Sequence, residues 1–169
     1  TPASYISFLV LYRYYDRRYQ ALFGNAFSQG STVQNEQGVY MGFQLTPIAR
    51  WKLSVYADLF RFPWLKYGID APSGGQEYMA QIDYTPSRNY SAYLRYKYRQ
   101  KEKNGTFEND NLLKINTCKQ HRIRFQQVYN FSSPFIFKTS LDGILFDDPI
   151  KKLNKGIMIS QSIGWKPTT

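Results

Sequence analysis

Residues 92–99 read Ala-Tyr-Leu-Arg-Tyr-Lys-Tyr-Arg. Ala92, Leu94, Tyr96 and Tyr98 alternate with Tyr93, Arg95, Lys97 and Arg99. A period of two belongs to a β-strand, because successive side chains point to opposite faces. One face of this stretch is apolar and aromatic, and the other carries three cations. The segment therefore predicts a strand between two very different environments.

The same alternation recurs on both sides, eight times in all. Ser4 to Tyr15 places Ile6, Phe8, Val10, Tyr12 and Tyr14 together. Val39, Met41, Phe43 and Leu45 alternate with Tyr40, Gly42 and Gln44, and Trp51, Leu53, Val55, Ala57 and Leu59 with Lys52, Ser54, Tyr56 and Asp58. Tyr78, Ala80, Ile82 and Tyr84 oppose Glu77, Met79, Gln81 and Asp83. Beyond residue 99, Ile123, Phe125, Tyr129 and Phe131 alternate with Arg122, Arg124, Gln126 and Asn130. Phe135, Phe137, Leu141 and Leu145 oppose Lys138, Ser140 and Asp142, and Ile157, Ile159, Ile163 and Trp165 oppose Met158, Ser160 and Ser162.

The connections alternate too. Thr46-Pro47-Ile48-Ala49, Thr85-Pro86-Ser87-Arg88 and Ser132-Ser133-Pro134 read as tight turns, and Lys166-Pro167-Thr168-Thr169 as the next one. Between them lie longer links, from Asp16 to Gln37, Arg61 to Gly75, Glu102 to Thr117 and Asp147 to Lys155. Short and long in turn is the rhythm of an up-and-down transmembrane barrel, with short periplasmic turns and longer outer loops. Within the first long link, Tyr19, Leu22, Phe23 and Phe27 have helical spacing and predict a short helix or compact loop.

Composition agrees. Aromatic residues make up 18% of the chain, with 15 Tyr and 12 Phe, yet mean hydropathy is only −0.51. A barrel with an apolar outer face, a polar inner face and aromatic girdles reconciles the two values. No apolar run is long enough for a transmembrane helix. The chain opens Thr1-Pro2-Ala3 without a charged or apolar leader, and reads as a mature form or an internal fragment.

The apolar set would form a continuous skin far larger than soluble monomers tolerate. All eight segments share one pattern, so none is left to make a covering sheet, and hydrocarbon is the solvent that remains. In hydrocarbon every backbone group must pair, which requires closure into a barrel. The expected fold is an all-β antiparallel transmembrane barrel, about eight strands of one region over residues 1–169. Tyr12, Tyr14, Trp51, Tyr84, Tyr96, Tyr98, Tyr129 and Trp165 are the candidates for the aromatic girdles.

The inward set is Lys52, Asp58, Arg95, Lys97, Arg99, Arg122, Arg124, Lys138 and Asp142. Net charge is +10. Cations this close repel unless carboxylates, anions or water screen them, and a wet lumen supplies the screening. A pore wall and a basic rim touching lipopolysaccharide are both open readings of this set.

Catalytic and metal chemistry find little support. His121 is the one histidine and has no neighbouring acid in sequence, so a satisfied or exposed side chain is expected rather than a base. The lone Cys118 cannot make an intrachain disulfide, and Cys118 with His121 falls short of a metal set. Asp147-Asp148 reads as a solvated turn before Pro149, and Gly74-Gly75 as a turn rather than a phosphate loop. No enzyme activity and no cofactor are expected.

Several stretches carry a family resemblance. They are Leu22-Phe23-Gly24-Asn25-Ala26-Phe27, Asn35-Glu36-Gln37-Gly38-Val39-Tyr40, Tyr56 to Leu65, and Ala71-Pro72-Ser73-Gly74. Together they resemble bacteroidetes-type outer-membrane barrels in which a small periplasmic helix-hairpin-helix domain precedes the barrel. The resemblance is strongest from Leu22 to Arg99, and this chain lacks the helix-hairpin-helix part. It implies a barrel region with strands missing on both sides, and, because such modules grip DNA backbone, a link to DNA.

Three functions follow as expectations. The first is a pore or transport component for anionic substrates or DNA. The second is a structural or docking barrel beside other outer-membrane or periplasmic proteins. The third is a soluble basic β-barrel that binds nucleic acid through its arginine stripes and tyrosines.

Overall fold

In the computed structural model, residues 5–20, 27–30, 32–106, 113–130, 135–148 and 152–165 are described. They form one eight-stranded antiparallel sheet in the order β1-β2-β3-β4-β5-β6-β7-β8. The strands are β1 (Ile6–Tyr15), β2 (Glu36–Ile48), β3 (Trp51–Phe62), β4 (Ser73–Ser87), β5 (Tyr90–Thr106), β6 (Leu113–Asn130), β7 (Phe135–Asp148) and β8 (Lys152–Trp165). Each pairs with its sequence neighbour, so the topology is a pure up-and-down meander. Among the described residues β1 pairs only with β2 and β8 only with β7.

The registers place alternate side chains of every strand on two faces. Arg13, Gly38, Phe60, Gly75, Lys101 and Cys118 are successive partners across six strands. Side chains directly opposite each other share a face. Every charged candidate named above, from Lys52 to Asp142, lies on this polar face. Ile6, Leu45, Leu53, Ile82, Leu94, Phe125, Leu141 and Ile159 form a matching row on the other face.

Strand ends differ from the sequence reading in three ways. First, Pro47 and Pro86 sit inside β2 and β4 rather than in turns. Leu45 faces Leu53 but Ile48 faces Trp51, and Tyr84 faces Ala92 but Ser87 faces Tyr90, so each strand gains one residue there. Such a bulge removes the need for a proline N–H in the ladder. The N–H of Thr46 beside it donates to the Tyr5 carbonyl at 2.7 Å, and that of Thr85 to Arg50 at 2.8 Å. The turns proper are residues 49–50 and 88–89.

Second, the long links of the second half shrink. β5 runs to Thr106 and β6 starts at Leu113, leaving residues 107–112, and residues 149–151 join β7 to β8. Lys101, Lys103 and Asn116 are polar, so composition hid a ladder that continues past the apolar band. Asp147 and Asp148 accordingly stand in β7, opposite Leu153 and Lys152, and are not a turn.

Third, of the short helix or compact loop allowed by Tyr19, Leu22, Phe23 and Phe27, no helix appears among the described residues. Asp16 instead starts a turn, its carboxylate accepting from the Arg18 N–H at 2.8 Å and its carbonyl from the Tyr19 N–H at 3.1 Å. Leu22 and Phe23, the turn Ser132-Ser133-Pro134 and Lys166 to Thr169 lie outside the described residues. The link 63–72 is tied to the start of β2 by Asn35, whose side chain exchanges hydrogen bonds with the Trp64 carbonyl and N–H at 2.8 and 2.9 Å. Asn35 has φ 53°, a left-handed conformation that asparagine tolerates. In the same link Lys66 lies 3.3 Å over the Phe62 ring, and burial holds its ammonium below the usual lysine range.

Burial is inverted relative to a water-soluble protein. Among the described residues the buried apolar side chains are Phe60, Phe62, Ile69 and Cys118, while Arg13, Glu36, Asp58, Glu77 and Asp142 are buried charges. Phe8 is 68% exposed, Ile159 72% and Ile157 86%. The chain exposes 12273 Å². A compact monomer of its mass, 19.9 kDa, would expose about 8,700 Å².

Candidate functional site

Among the described residues, three charge clusters on the polar face are centred on buried carboxylates. At the β1 edge, Arg13 reaches across β2. Its Nε donates to Glu36 Oε1 at 2.6 Å, and its two terminal nitrogens donate to Asp58 at 2.7 and 3.1 Å. The three side chains are 2%, 0% and 1% exposed, so the pairing is dry. Gly38 makes the reach possible, since it stands directly opposite Arg13 and has no side chain in the way.

Residues 28–30 close over this knot. The N–H of Gln29 donates to both Glu36 oxygens, and the Ser28 hydroxyl and Gly30 N–H donate to Oε2 at 2.9 and 3.2 Å. Gln29 Nε2 donates to Asp58 at 2.7 Å. Arg99 then donates to the Gln29 side-chain oxygen at 2.8 Å, and Lys101 to its carbonyl at 2.9 Å. The segment therefore bridges the β1–β3 end of the face to β5.

In the second cluster Glu77 accepts from Tyr56 at 2.7 Å, and lies 2.9 Å from Lys97 and 3.2 Å from Arg99. In the third, Asp142 lies 2.7 Å from Arg124 and 3.2 Å from Arg122. Arg95 donates to Gln81 at 2.6 Å and lies 5.2 Å over the Tyr93 ring. Buried acids thus hold half-exposed cations in place. The cations still outnumber them, because Arg95, Lys97, Arg99, Lys101 and Lys103 occupy five successive positions of β5 on this face.

Seven of the nine charged candidates therefore enter these contacts. Lys52 faces Asp83 across the ladder, and Lys138 stands between Val128 and Ser162. The sequence reading missed Arg13, Glu36, Gln29 and Lys101. Arg13 carried a signal, as the one charge in Ile6–Tyr15, at a position out of phase with the apolar set.

The eight aromatic candidates share the opposite face. Trp51 packs on its partner Tyr84 at 4.4 Å between centroids, and Tyr90 on Tyr129 at 6.3 Å. Together with Trp165 they mark the short-turn ends of β3 to β6 and β8. Tyr12 and Tyr14 lie at the other end, in β1. Tyr96 and Tyr98 sit inside β5, because that strand is longer than expected. Tyr90 to Tyr98 spans about 26 Å along the strand, on the scale of the ~25 Å apolar band of a membrane barrel. His121 lies on the same face directly opposite Tyr98, with Nδ1 2.8 Å from the Tyr96 hydroxyl and its ring 4.9 Å from that of Tyr98.

Among the described residues no group of three or more His, Cys, Asp or Glu is placed to hold a metal ion. No helix is long and apolar enough to cross a membrane, which says nothing of strands. Comparison with protein-family models, with curated proteins and with solved structures finds no match to this chain.

Proposed function

We propose that this sheet is wall of an outer-membrane β-barrel that works as a pore or transport component for anionic substrates. The observation that carries the reading is the inverted burial: large apolar side chains exposed on every strand, and buried carboxylates anchoring cations on the other face. In water, an apolar surface this continuous drives association. Against hydrocarbon it is solvated, and the polar face becomes the wet side. The outer edges of β1 and β8 present backbone groups that must also be paired in lipid. The barrel closes either by joining these edges or by adding further strands, the arrangement that the helix-hairpin-helix barrel resemblance implies.

The basic face favours anions over cations, since charge lining a pore sets its selectivity. Lipopolysaccharide surrounds the apolar face in this reading, and DNA is one polyanion such a face could pass. Reconstitution tests it. The protein should require detergent, shift in gel mobility on heating, and give anion-selective conductance in planar bilayers. A folded monomer in plain buffer with strongly salt-dependent nucleic-acid binding would replace this reading with a soluble binding protein.

A docking barrel with a plugged lumen is the second reading. It is favoured by Gln29, which bonds to both sides of the polar face through Asp58, Arg99 and Lys101. Stable folding in detergent, no conductance, and co-purification with other outer-membrane or periplasmic proteins would select it.

A further inference from the structure

We propose that the cleft between β5 and β6 is a binding site for a phosphate-type oxyanion. The proposal rests on the polar face being the wetted side, and names the chemistry that face selects. Lys97 stands directly opposite Arg122, and Arg99 opposite Gln120, so the four make a two-by-two block on adjacent strands. They line a cavity of about 90 Å³.

The block offers donors almost exclusively. An ammonium, two guanidinium forks and a carboxamide N–H₂ converge there, and the Gln120 oxygen is the sole side-chain acceptor. Among the described residues no acid lines the cavity. The balancing carboxylates stand on the flanking strands, Glu77 on β4 and Asp142 on β7. They are withdrawn, with side chains 7% and 9% exposed, against 35% for Lys97 and Arg99 and 45% for Arg122. The acids thus hold the cations from the flanking strands, two carboxylates against Lys97, Arg99, Arg122 and Arg124, and leave positive charge uncompensated.

Geometry separates phosphate from a carboxylate. Guanidinium forks match the paired oxygens of either anion and make short charge-assisted hydrogen bonds to both, so the number of approach directions decides. Three cationic side chains approach from three corners of the block, which suits an acceptor with oxygens on several sides. Arg99 already gives one N–H to the neutral Gln29 oxygen at 2.8 Å, an acceptor that an oxyanion outcompetes. The phosphate could be free, as inorganic phosphate or on a solute, or belong to a lipid headgroup.

The test titrates inorganic phosphate into the full chain, folded in detergent, and follows heat release and phosphorus NMR. Saturable binding is expected, displaced by sulfate but not by equal chloride. Lys97→Gln and Arg122→Gln should each weaken it about tenfold, the loss of one charge-assisted contact. Lys138→Gln, on the same face outside the cleft, should leave it unchanged. The sulfate-versus-chloride comparison on the unaltered chain stands if a variant does not fold. A second arm titrates diphosphorylated lipid A in mixed micelles. Binding of lipid A alone, lost in Lys97→Gln, assigns the cleft to a headgroup, and competition by inorganic phosphate assigns it to phosphate generally. Absence of both, or equal binding by the unaltered chain and both cleft variants, overturns the site. Bilayer conductance without phosphate binding leaves the pore standing and removes the cleft; phosphate binding by a chain that never inserts does the reverse.

Discussion

Gly38 of β2 stands directly opposite Arg13 of β1, and a Cβ at position 38 would lie 2.6 Å from the Arg13 guanidinium carbon. The missing side chain is the channel through which Arg13 reaches Asp58 on β3. Gly75 repeats the device one pair of strands later, where a Cβ would lie 2.6 Å from the Gln100 carbonyl oxygen and closer still to the Phe60 ring. Gly38→Ala should therefore destabilise by about 1–3 kcal/mol, the usual cost of overpacking. Gly75→Ala should cost more, because backbone cannot step aside. Urea unfolding of the detergent-folded protein, followed by tyrosine fluorescence, measures both.

Arg13→Met tests the dry knot itself. It leaves Glu36 and Asp58 facing each other with amide donors but no cation. The expected loss is about 3–5 kcal/mol, as for any buried pair stripped of one partner. Arg13→Met with Asp58→Asn should recover part of the loss by removing one unpaired charge. No difference between the single and double variants in urea midpoint would show that the knot is not electrostatically coupled.

Adjacent residues on β7 distinguish the two faces. Leu141 lies on the apolar face and Ser140 on the polar one. Leu141→Arg should destabilise the lipid-folded protein by about 2–4 kcal/mol if that face meets the bilayer midplane. Ser140→Arg should be nearly neutral in a wetted lumen. Equal costs in folding titrations from urea into lipid vesicles would remove the membrane assignment.

Selectivity offers a functional check. Glu77→Gln and Asp142→Asn each remove a carboxylate that lies against two cations. Under the pore reading each should raise the anion-to-cation permeability ratio, read as a shift in reversal potential across a salt gradient. Lys97→Gln should shift it the other way. Screening makes all three shifts shrink as salt rises.

The two faces were legible in the chain because their signal is local. Alternation at period two placed Leu94 and Arg95 on opposite sides without knowledge of any partner strand. Strand ends were less legible where the signal fades. Lys101 to Gly105 is polar on both faces, so a paired strand looks there like a loop. Pro47 and Pro86 look like turns because proline is excluded from ladders, and only the register reveals that bulges accommodate them.

The sequence by itself determined the antiparallel meander and the side on which each charged candidate from Lys52 to Asp142 stands, since these follow from backbone geometry applied residue by residue. The tertiary structure alone decided which carboxylate serves which cation. Arg13 meets Asp58 across 45 residues, and Arg99 meets Gln29 across 70. Such pairings depend on register and on where a glycine clears the path, quantities set only when strands lie side by side.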